Sequence, residues 1–251
     1  MNANIAQKIL ATNHQFYQTF AVQFAATRQR LQPGVYRLLA ESRFGDSILD
    51  LGCGNSELAH SLYVRGYTGL YTGLDFSQDL LEQARLELPQ HITLEREHDG
   101  SVMQAGFYLQ DLTQTEWMVN LPRQTYAAVL AFAVMHHLPG MALRQAFLAN
   151  VRQRLSPEGV FIHSNWQFLN SSRLKERIQP WERVGLHSED VDEGDYLLDW
   201  RSGGSGLRYV HHFSQAELLD AAAQAGFRVL DTFSSDGETG NLGLYQIWQV
   251  Q

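Results

Sequence analysis

Residues 47–77, SILDLGCGNSELAHSLYVRGYTGLYTGLDFS, decide the fold of this chain. The apolar run at residues 48–51 is too short for a helix and ends at glycines, which predicts a buried strand. The Gly-Cys-Gly sequence at residues 52–54 predicts a tight turn, where missing side chains let a ligand approach the backbone. A helix over residues 55–65 and a second strand over residues 70–75 complete a β-α-β unit.

The polar residues of this unit predict a nucleoside ligand that carries a positive charge. Asp75, at the tip of the second strand, is placed to accept both hydroxyls of a ribose while the glycine turn holds the other end. A dinucleotide fingerprint has a third glycine three residues after Gly54, but Glu57 stands there, and its carboxylate is a poor neighbour for a pyrophosphate. Asp50, just before the glycines, suits an ammonium or a sulfonium. A nicotinamide-dependent oxidoreductase is therefore disfavoured.

The segment at residues 50–54, followed by Asp75, resembles motifs I and II of the class I S-adenosylmethionine (SAM) methyltransferases. Residues 156–164, a Ser-Pro-Glu-Gly turn leading into an apolar strand, resemble the fifth motif of the same family. The resemblance covers residues 47–164 and 214–250. It implies an α/β fold with a Rossmann-like seven-stranded, mostly parallel sheet, an antiparallel last strand, helices on both faces and SAM as the cofactor. The cofactor-binding residues that it implies here are Asp50, Gly52, Cys53, Gly54, Asn55, Asp75 and Phe76.

Further cofactor contacts are implied by the same resemblance. Asp111 follows a predicted third strand at residues 107–110 and is expected to accept the adenine amino group, with the Leu112 backbone N–H on a ring nitrogen. A turn signal at residues 98–101 predicts a hairpin ahead of this strand. The fourth strand, over residues 126–132, and the loop that follows it are expected to line the methionine end, through Ala131 and His136.

The region before the first strand is predicted to be helical, with aromatic residues at helical spacing. In many SAM enzymes such a segment lies over the cofactor, which makes Tyr17 and Arg28 candidates for cofactor contact. The predicted organisation is therefore an N-terminal helical segment (1–46), a SAM-binding core (47–164 and 214–251) and an insertion (165–213). Because the carboxyl ends of parallel strands form the ligand crevice, an insertion after the fifth strand is expected to cap the substrate.

The composition limits the classes of function. The chain has 251 residues, is 44% hydrophobic and carries a net charge of −8. These values predict a folded domain and argue against broad binding of phosphate backbones. The single cysteine excludes an internal disulfide and a cysteine-based zinc cluster. No signal peptide or membrane-spanning run is evident, so a cytoplasmic protein is expected.

Several short phrases resemble the eukaryotic tRNA wobble-uridine methyltransferases and the methyltransferase domain fused to an AlkB homologue. The tRNA enzymes esterify a carboxymethyl group on uridine, so the resemblance implies a carboxylate acceptor, with tRNA as a partner. The phrases are residues 24–28 (FAATR), 50–55 (DLGCGN), 136–138 (HHL), 199–201 (DWR) and 208–213 (RYVHHF).

The chemistry of the acceptor separates the candidate catalytic residues into two groups. A carboxylate is already an anion and needs no general base, but a cation has to hold it, and Arg28, Arg201 and Arg208 are the candidates. Tyr209 and His211 are candidates for orienting or deprotonating a different acceptor, such as a phenol or an amine.

Alternatives to the carboxylate reaction remain open. One is a small-molecule O- or N-methyltransferase, and another is a SAM-binding module without catalysis. A metal is not expected, because the adjacent His136 and His137 lack a nearby acid or cysteine that would complete a tetrahedral site.

Overall fold

The computed structural model describes residues 1–26, 30–41, 44–89, 92, 102–201 and 204–251. Arg28 and the turn predicted at residues 98–101 lie outside the described residues. The described helices include none with the length and apolar character needed to cross a membrane.

The described strands and helices alternate along the core as the sequence predicts. The strands are β1 (Ser47–Leu51), β2 (Leu70–Asp75), β3 (Gln104–Leu109), β4 (Tyr126–Phe132), β5 (Leu155–Trp166), β6 (Ile178–Gln179), β7 (Asp195–Trp200), β8 (Gly206–His211), β9 (Phe227–Ser235) and β10 (Gly243–Val250). The helices are α1 (Ala3–Ala26), α2 (Pro33–Ala40), α3 (Glu57–Val64), α4 (Gln78–Glu87), α5 (Met141–Gln153), α6 (Ser172–Lys175) and α7 (Gln215–Gln224).

Seven strands form one sheet in the order β3-β2-β1-β4-β5-β10-β9. Strands β1 to β5 pair in parallel, and β10 runs antiparallel to both of its neighbours. The Rossmann-like, mostly parallel sheet predicted from the sequence is therefore confirmed. β1 is buried along its whole length, because helices cover both faces of a parallel sheet.

Two apolar layers hold the helices on the sheet. On one face, α2 and α3 pack their buried residues, including Leu38 and Leu62, against Ile48 and Tyr245. On the other face, α5 and α7 pack Phe147 and Leu218 against strands β4, β5 and β10. Helices therefore cover both faces of the sheet. The edge formed by the carboxyl ends of the parallel strands remains open to form a site.

The strand boundaries that differ from the sequence prediction include the start of β3 and the end of β5. β3 begins at Gln104 and not at residue 107, because its pairing with β2 starts where Gln104 lies opposite Leu70. β5 continues beyond Ser164, because β10 pairs with it as far as Trp166. Residues 165 and 166 are therefore part of the central sheet and not of the insertion.

The insertion contains a small antiparallel sheet of β6, β7 and β8. This sheet packs against α1, where Ile9 joins Trp181, Leu197 and Tyr209 in one buried cluster. The N-terminal helix therefore packs on the insertion. This packing positions α1 residues at the edge of the large sheet.

Candidate active site

A cavity of about 630 Å³ lies at the carboxyl ends of the parallel strands, between the glycine turn, α1 and the end of β5. Its size is within the range of about 300–1,000 Å³ that is usual for small-molecule sites. Most of the predicted cofactor residues line it: Tyr17, Asp50, Gly52, Cys53, Gly54, Asn55, Asp75, Phe76, Asp111 and Leu112.

The turn after β1 depends on left-handed backbone conformations. Gly52 and Gly54 have φ values of +74° and +58°. The backbone N–H groups of Gly52 and Cys53 donate to the Leu74 carbonyl at 2.8 and 2.9 Å, which fixes the turn against the end of β2. The Cβ of any residue in place of Gly54 would meet no other group within 4 Å, so the turn presents bare backbone.

Replacement of Gly52 by alanine is expected to lower the free energy of unfolding by about 2–4 kcal/mol. The new Cβ would lie 2.6 Å from Val134 Cγ2, and the left-handed φ adds backbone strain. Gly54→Ala is the matched control, because it carries the same type of strain without the steric clash, and about 1–2 kcal/mol is expected. Urea unfolding of both variants measures the difference, and equal losses would contradict the steric explanation.

Asp75 is held rigidly at the end of β2. Its Oδ1 accepts the Ser77 N–H and its Oδ2 accepts the Gly54 N–H, both at 2.9 Å. Burial raises the pKa of this carboxyl, while these backbone hydrogen bonds oppose the shift. Each carboxylate oxygen keeps a further lone pair, so the group can still accept a pair of hydroxyls. This geometry fits the ribose role expected from the sequence.

Asp50 lies buried behind the turn. The Tyr71 hydroxyl donates to Asp50 Oδ2 at 2.5 Å, and the Ser56 hydroxyl donates in turn to Tyr71. Burial raises the pKa of the Asp50 carboxyl to about 7; the Tyr71 hydrogen bond opposes the shift and the nearby Asp75 charge adds to it. A cationic ligand beside Asp50 would therefore favour its ionised form.

The cavity also contains an aromatic and histidine cluster, next to Phe76 and Asp111. The His14 ring stacks on Phe76 at 5.4 Å between ring centroids, and Tyr17 meets Phe76 edge-on at 5.8 Å. His14 Nε2 lies 3.4 Å from Asp111 Oδ2. His14 was not among the residues singled out in the sequence, because only the fold of α1 across the sheet edge brings it beside Asp111.

The loop after β4 contributes His137 to the cavity. Its Nε2 lies 2.7 Å from the Tyr17 hydroxyl, and its Nδ1 lies 3.1 Å from the Tyr209 carbonyl. Because a carbonyl only accepts, Nδ1 carries the ring hydrogen. In the neutral ring Nε2 then has the lone pair and accepts from Tyr17.

Ala131 and His136, which the sequence predicts at the methionine end, do not line the cavity. Ala131 is fully buried in the core beneath the sheet edge. His136 is also buried, and its Nδ1 accepts the Trp166 backbone N–H at 3.3 Å. The left-handed φ of +58° at Ala133 turns the chain, so Ala133 and His137 reach the cavity instead.

The predicted catalytic residues Tyr209 and His211 lie in a buried charge cluster and do not line the cavity. Tyr209 donates its hydroxyl hydrogen to Asp195 at 2.7 Å. His211 lies between two carboxylates, with Nδ1 2.6 Å from Asp195 and Nε2 2.8 Å from Glu217. Burial lowers the pKa of His211, but the two carboxylates outweigh it and leave the pKa raised. These side chains therefore hold the insertion to α7.

Of the predicted arginines, Arg201 and Arg208 lie among the described residues, and neither lines the cavity. Arg201 is exposed and pairs with Asp199 at 2.8 Å. Arg208 is buried, and its guanidinium lies over the rings of Trp166 at 4.7 Å and Trp200 at 5.7 Å. The described arginines that line the cavity are Arg30 and Arg173, both exposed at its rim.

Comparison with known proteins defines the class of this chain. A family model described as a methyltransferase domain matches residues 24–232, which is most of the chain. The chain therefore belongs to this methyltransferase family.

Two curated proteins are similar in sequence. A protein of Encephalitozoon cuniculi (strain GB-M1), named only as a methyltransferase, is 28% identical over 219 residues, covering 87% of this chain and 88% of that protein. The ubiquinone biosynthesis O-methyltransferase of Neisseria meningitidis serogroup C (strain 053442) is 26% identical over 188 residues, covering 75% of this chain and 66% of its own.

Solved structures share the fold. A SAM-dependent methyltransferase from Methanosarcina mazei aligns with a TM-score of 0.63 at 19% identity, over 88% of this chain and 98% of that one. The DhpI–SAM–HEP complex aligns with a TM-score of 0.63 at 18% identity, over 96% and 97% of the two chains. Together with the family membership, this makes the chain a SAM-dependent methyltransferase with S-adenosyl-L-methionine as its cosubstrate.

SAM affinity is expected to rise with pH up to about pH 7. Burial and the neighbouring groups leave the pKa of Asp50 at about 7, so this carboxylate binds a proton below that pH. The SAM cation favours the carboxylate, so binding releases this proton, and the Kd is expected to increase by up to about tenfold for each pH unit below 7. Calorimetric titration at several pH values checks this. Asp50→Asn has no proton to release and is expected to flatten the profile; an unchanged profile would contradict the assignment.

Proposed function

We propose that this enzyme transfers the methyl group of SAM to a hydroxyl oxygen of a small acceptor molecule. The observation that carries the proposal is the Tyr17–His137 pair, which lines the same cavity as the glycine turn. Methylation of a hydroxyl needs a group to take its proton, and this pair is a hydrogen-bonded route to a ring nitrogen.

The reaction balances without any further reagent. The acceptor oxygen attacks the methyl carbon, the carbon–sulfur bond breaks, and S-adenosylhomocysteine leaves as the neutral thioether. The acceptor proton passes to the Tyr17 oxygen as the Tyr17 proton passes to His137 Nε2. The Tyr209 carbonyl still accepts the Nδ1 hydrogen, so the imidazolium that forms is hydrogen-bonded on both sides.

The shape of the cavity and the net charge of the chain support a small acceptor. Phe132, Trp166 and Tyr245 add aromatic walls to it. Flat apolar walls in a cavity of this size favour a planar organic ring. The net charge of −8 disfavours a nucleic-acid acceptor, since phosphate contacts supply much of the affinity in such complexes.

A carboxylate is the second candidate acceptor, including the carboxymethyl group of a tRNA uridine. Arg173, on α6, supports it, because this arginine lines the cavity and a guanidinium can hold a carboxylate with two hydrogen bonds. A carboxylate needs no base, so the two candidates predict different roles for Tyr17.

The test is methyl transfer from isotope-labelled SAM to three separate pools: phenols and other hydroxyl compounds, carboxylic acids, and bulk tRNA. Transfer to hydroxyl compounds that falls sharply in Tyr17→Phe is expected. Tyr36→Phe is the matched control, because Tyr36 is exposed on α2 and does not line the cavity. Transfer confined to carboxylic acids or tRNA, and unaffected by Tyr17→Phe, would overturn the hydroxyl proposal in favour of the second candidate.

A further inference from the structure

Asn13 is a buried polar residue on α1 that takes no direct part in the proposed methyl transfer. Only 4% of its surface is exposed, and it lies among the residues that line the cavity. Its side chain bonds the main chain of two distant segments, β8 and the loop after β4. A buried amide with such partners fixes the two segments relative to each other.

The first of these segments is the outer edge of the small sheet. β8 lies at this edge, where every second residue directs its N–H and C=O away from β7, and Tyr209 is such a residue. Asn13 Oδ1 accepts the Tyr209 N–H at 2.7 Å, and Nδ2 donates to the Tyr209 carbonyl at 3.4 Å. The amide therefore pairs with Tyr209 as a peptide group of a neighbouring strand would. Because a backbone N–H only donates and a carbonyl only accepts, these partners fix which end of the amide is the oxygen.

The second segment contains His137. Asn13 Nδ2 lies 3.5 Å from the His137 carbonyl oxygen. Tyr17, four residues further along α1, contacts the ring of the same histidine, with its hydroxyl 2.7 Å from Nε2. Residues four apart lie on the same face of a helix. One face of α1 therefore contacts both the backbone and the ring of His137.

The Tyr209 carbonyl decides which nitrogen of His137 has the lone pair. A neutral imidazole carries its hydrogen on either nitrogen, and a tyrosine hydroxyl can donate or accept, so the Tyr17 contact is compatible with both tautomers. The carbonyl oxygen 3.1 Å from Nδ1 is compatible only with a hydrogen on Nδ1. A basic lone pair on Nε2 therefore depends on where this carbonyl is held.

We propose that Asn13 is a positioning residue for His137. It holds the Tyr209 main chain against the His137 backbone, so that Nδ1 keeps the ring hydrogen and the lone pair of Nε2 faces Tyr17. The catalytic consequence rests on the proposed function, since it requires His137 to take the acceptor proton. The effect on the His137 ring does not depend on the acceptor and is measured separately.

Nitrogen NMR of the histidine rings tests this inference without any turnover. In protein labelled with ¹⁵N at histidine, the ring nitrogen shifts and their couplings to the ring hydrogens show which nitrogen carries the hydrogen. The spectra are recorded at a pH where the His137 ring is neutral, and His137→Gln identifies its signals. We expect the hydrogen on Nδ1 in the wild-type protein and a mixture of both tautomers in Asn13→Leu.

Steady-state kinetics show whether the altered ring affects the chemical step. In Asn13→Leu, kcat for hydroxyl acceptors is expected to fall by about 10- to 100-fold, because misplacement of a catalytic group by about 1 Å can cost that much. The KM for SAM is expected to stay within a few fold. Asn13→Asp keeps the shape of the side chain and an oxygen for the Tyr209 N–H but lacks the Nδ2 donor. It is expected to lower kcat in the same way, and it serves as the test if Asn13→Leu does not fold.

Ile9→Ala is the matched control for a purely structural role of Asn13. Ile9 lies one helical turn earlier on α1 and packs this helix against the small sheet through apolar contacts. Thermal unfolding is expected to show a loss of stability in both Ile9→Ala and Asn13→Leu. Ile9→Ala is nevertheless expected to keep the ring hydrogen of His137 on Nδ1 and a kcat within a few fold of the wild-type value.

Two results would overturn the inference: a wild-type His137 ring with its hydrogen on Nε2, or folded Asn13 variants in which the hydrogen stays on Nδ1. The same tautomer change in Ile9→Ala would also overturn it, since any weakening of the α1 packing would then have this effect. A tautomer change that depends on Asn13, in a protein that methylates no hydroxyl compound, would overturn the proposed hydroxyl chemistry and leave the role of Asn13 intact.

Discussion

Replacement of His137 by glutamine is expected to lower kcat for hydroxyl acceptors by about 10²- to 10⁴-fold, the usual contribution of a positioned base. The Tyr17 hydroxyl lies 2.7 Å from His137 Nε2, and in the proposed reaction it passes its proton to that nitrogen. A glutamine amide can hold Tyr17 by a hydrogen bond but has no basic nitrogen. The KM for SAM is expected to stay within a few fold, because the carboxylates that fit SAM belong to other loops.

Steady-state kinetics with labelled SAM measure the effect of His137→Gln. His187→Gln is the control variant, since His187 is exposed and distant from the cavity lining. Thermal unfolding of both variants shows whether the fold is kept. A folded His137→Gln protein with wild-type kcat on a hydroxyl acceptor would contradict the role of His137 as the proton acceptor.

Replacement of Asp75 by alanine is expected to weaken SAM binding by about 1–3 kcal/mol, or roughly 5- to 150-fold in Kd. The variant loses the hydroxyl acceptor at the end of β2 and also releases the Gly54 and Ser77 N–H groups that Asp75 binds. Both losses affect the same end of the cavity, so the effect falls on Kd.

Calorimetric titration with SAM measures this change. Asp79→Ala is the control, because Asp79 is an exposed carboxylate in the first turn of α4, four residues away. Asp75→Asn keeps the size of the side chain and separates the loss of charge from the loss of the loop contacts. An unchanged Kd in Asp75→Ala would mean that the ribose does not bind at the end of β2.

The part of the cavity around the glycine turn could be predicted because its residues are close in sequence. Asp50, the glycine turn and Asp75 belong to one β-α-β unit, whose geometry is fixed by the pairing of β1 with β2. Asp111 follows the next strand in the sheet, so its position at the same edge also follows from topology.

The sequence predicts Tyr17 at the site but not its contact with His137, because the two residues come from distant parts of the chain. Tyr17 and His137 are separated by 120 residues and meet only because α1 packs on the small sheet of the insertion. The choice between His136 and His137 depends on the left-handed residue Ala133, which no local pattern signals. The sequence predicts that Asn165 belongs to the insertion, because nothing in the sequence shows how far β10 extends β5.

Two of the five phrases that carried the resemblance to tRNA methyltransferases, residues 199–201 and 208–213, lie in the insertion. Arg208 stacks on Trp166 and Trp200, and His211 joins Asp195 to Glu217. Arg144, which completes this cluster near Tyr209, gave no signal in the sequence because its partners lie on other elements. These side chains therefore have packing and ion-pair roles in the insertion. Membership of the tRNA subfamily stays a prediction.

The most direct test of the central claim is the position of the methyl group inside the cavity. SAM labelled with ¹³C at the methyl carbon, bound to the protein without acceptor, allows nuclear Overhauser effects from the methyl hydrogens to be assigned. Contacts to ring hydrogens of Tyr17 and His137 are expected. Contacts that exclude both rings, with the methyl group next to other side chains of the cavity, would contradict the proposed reaction centre.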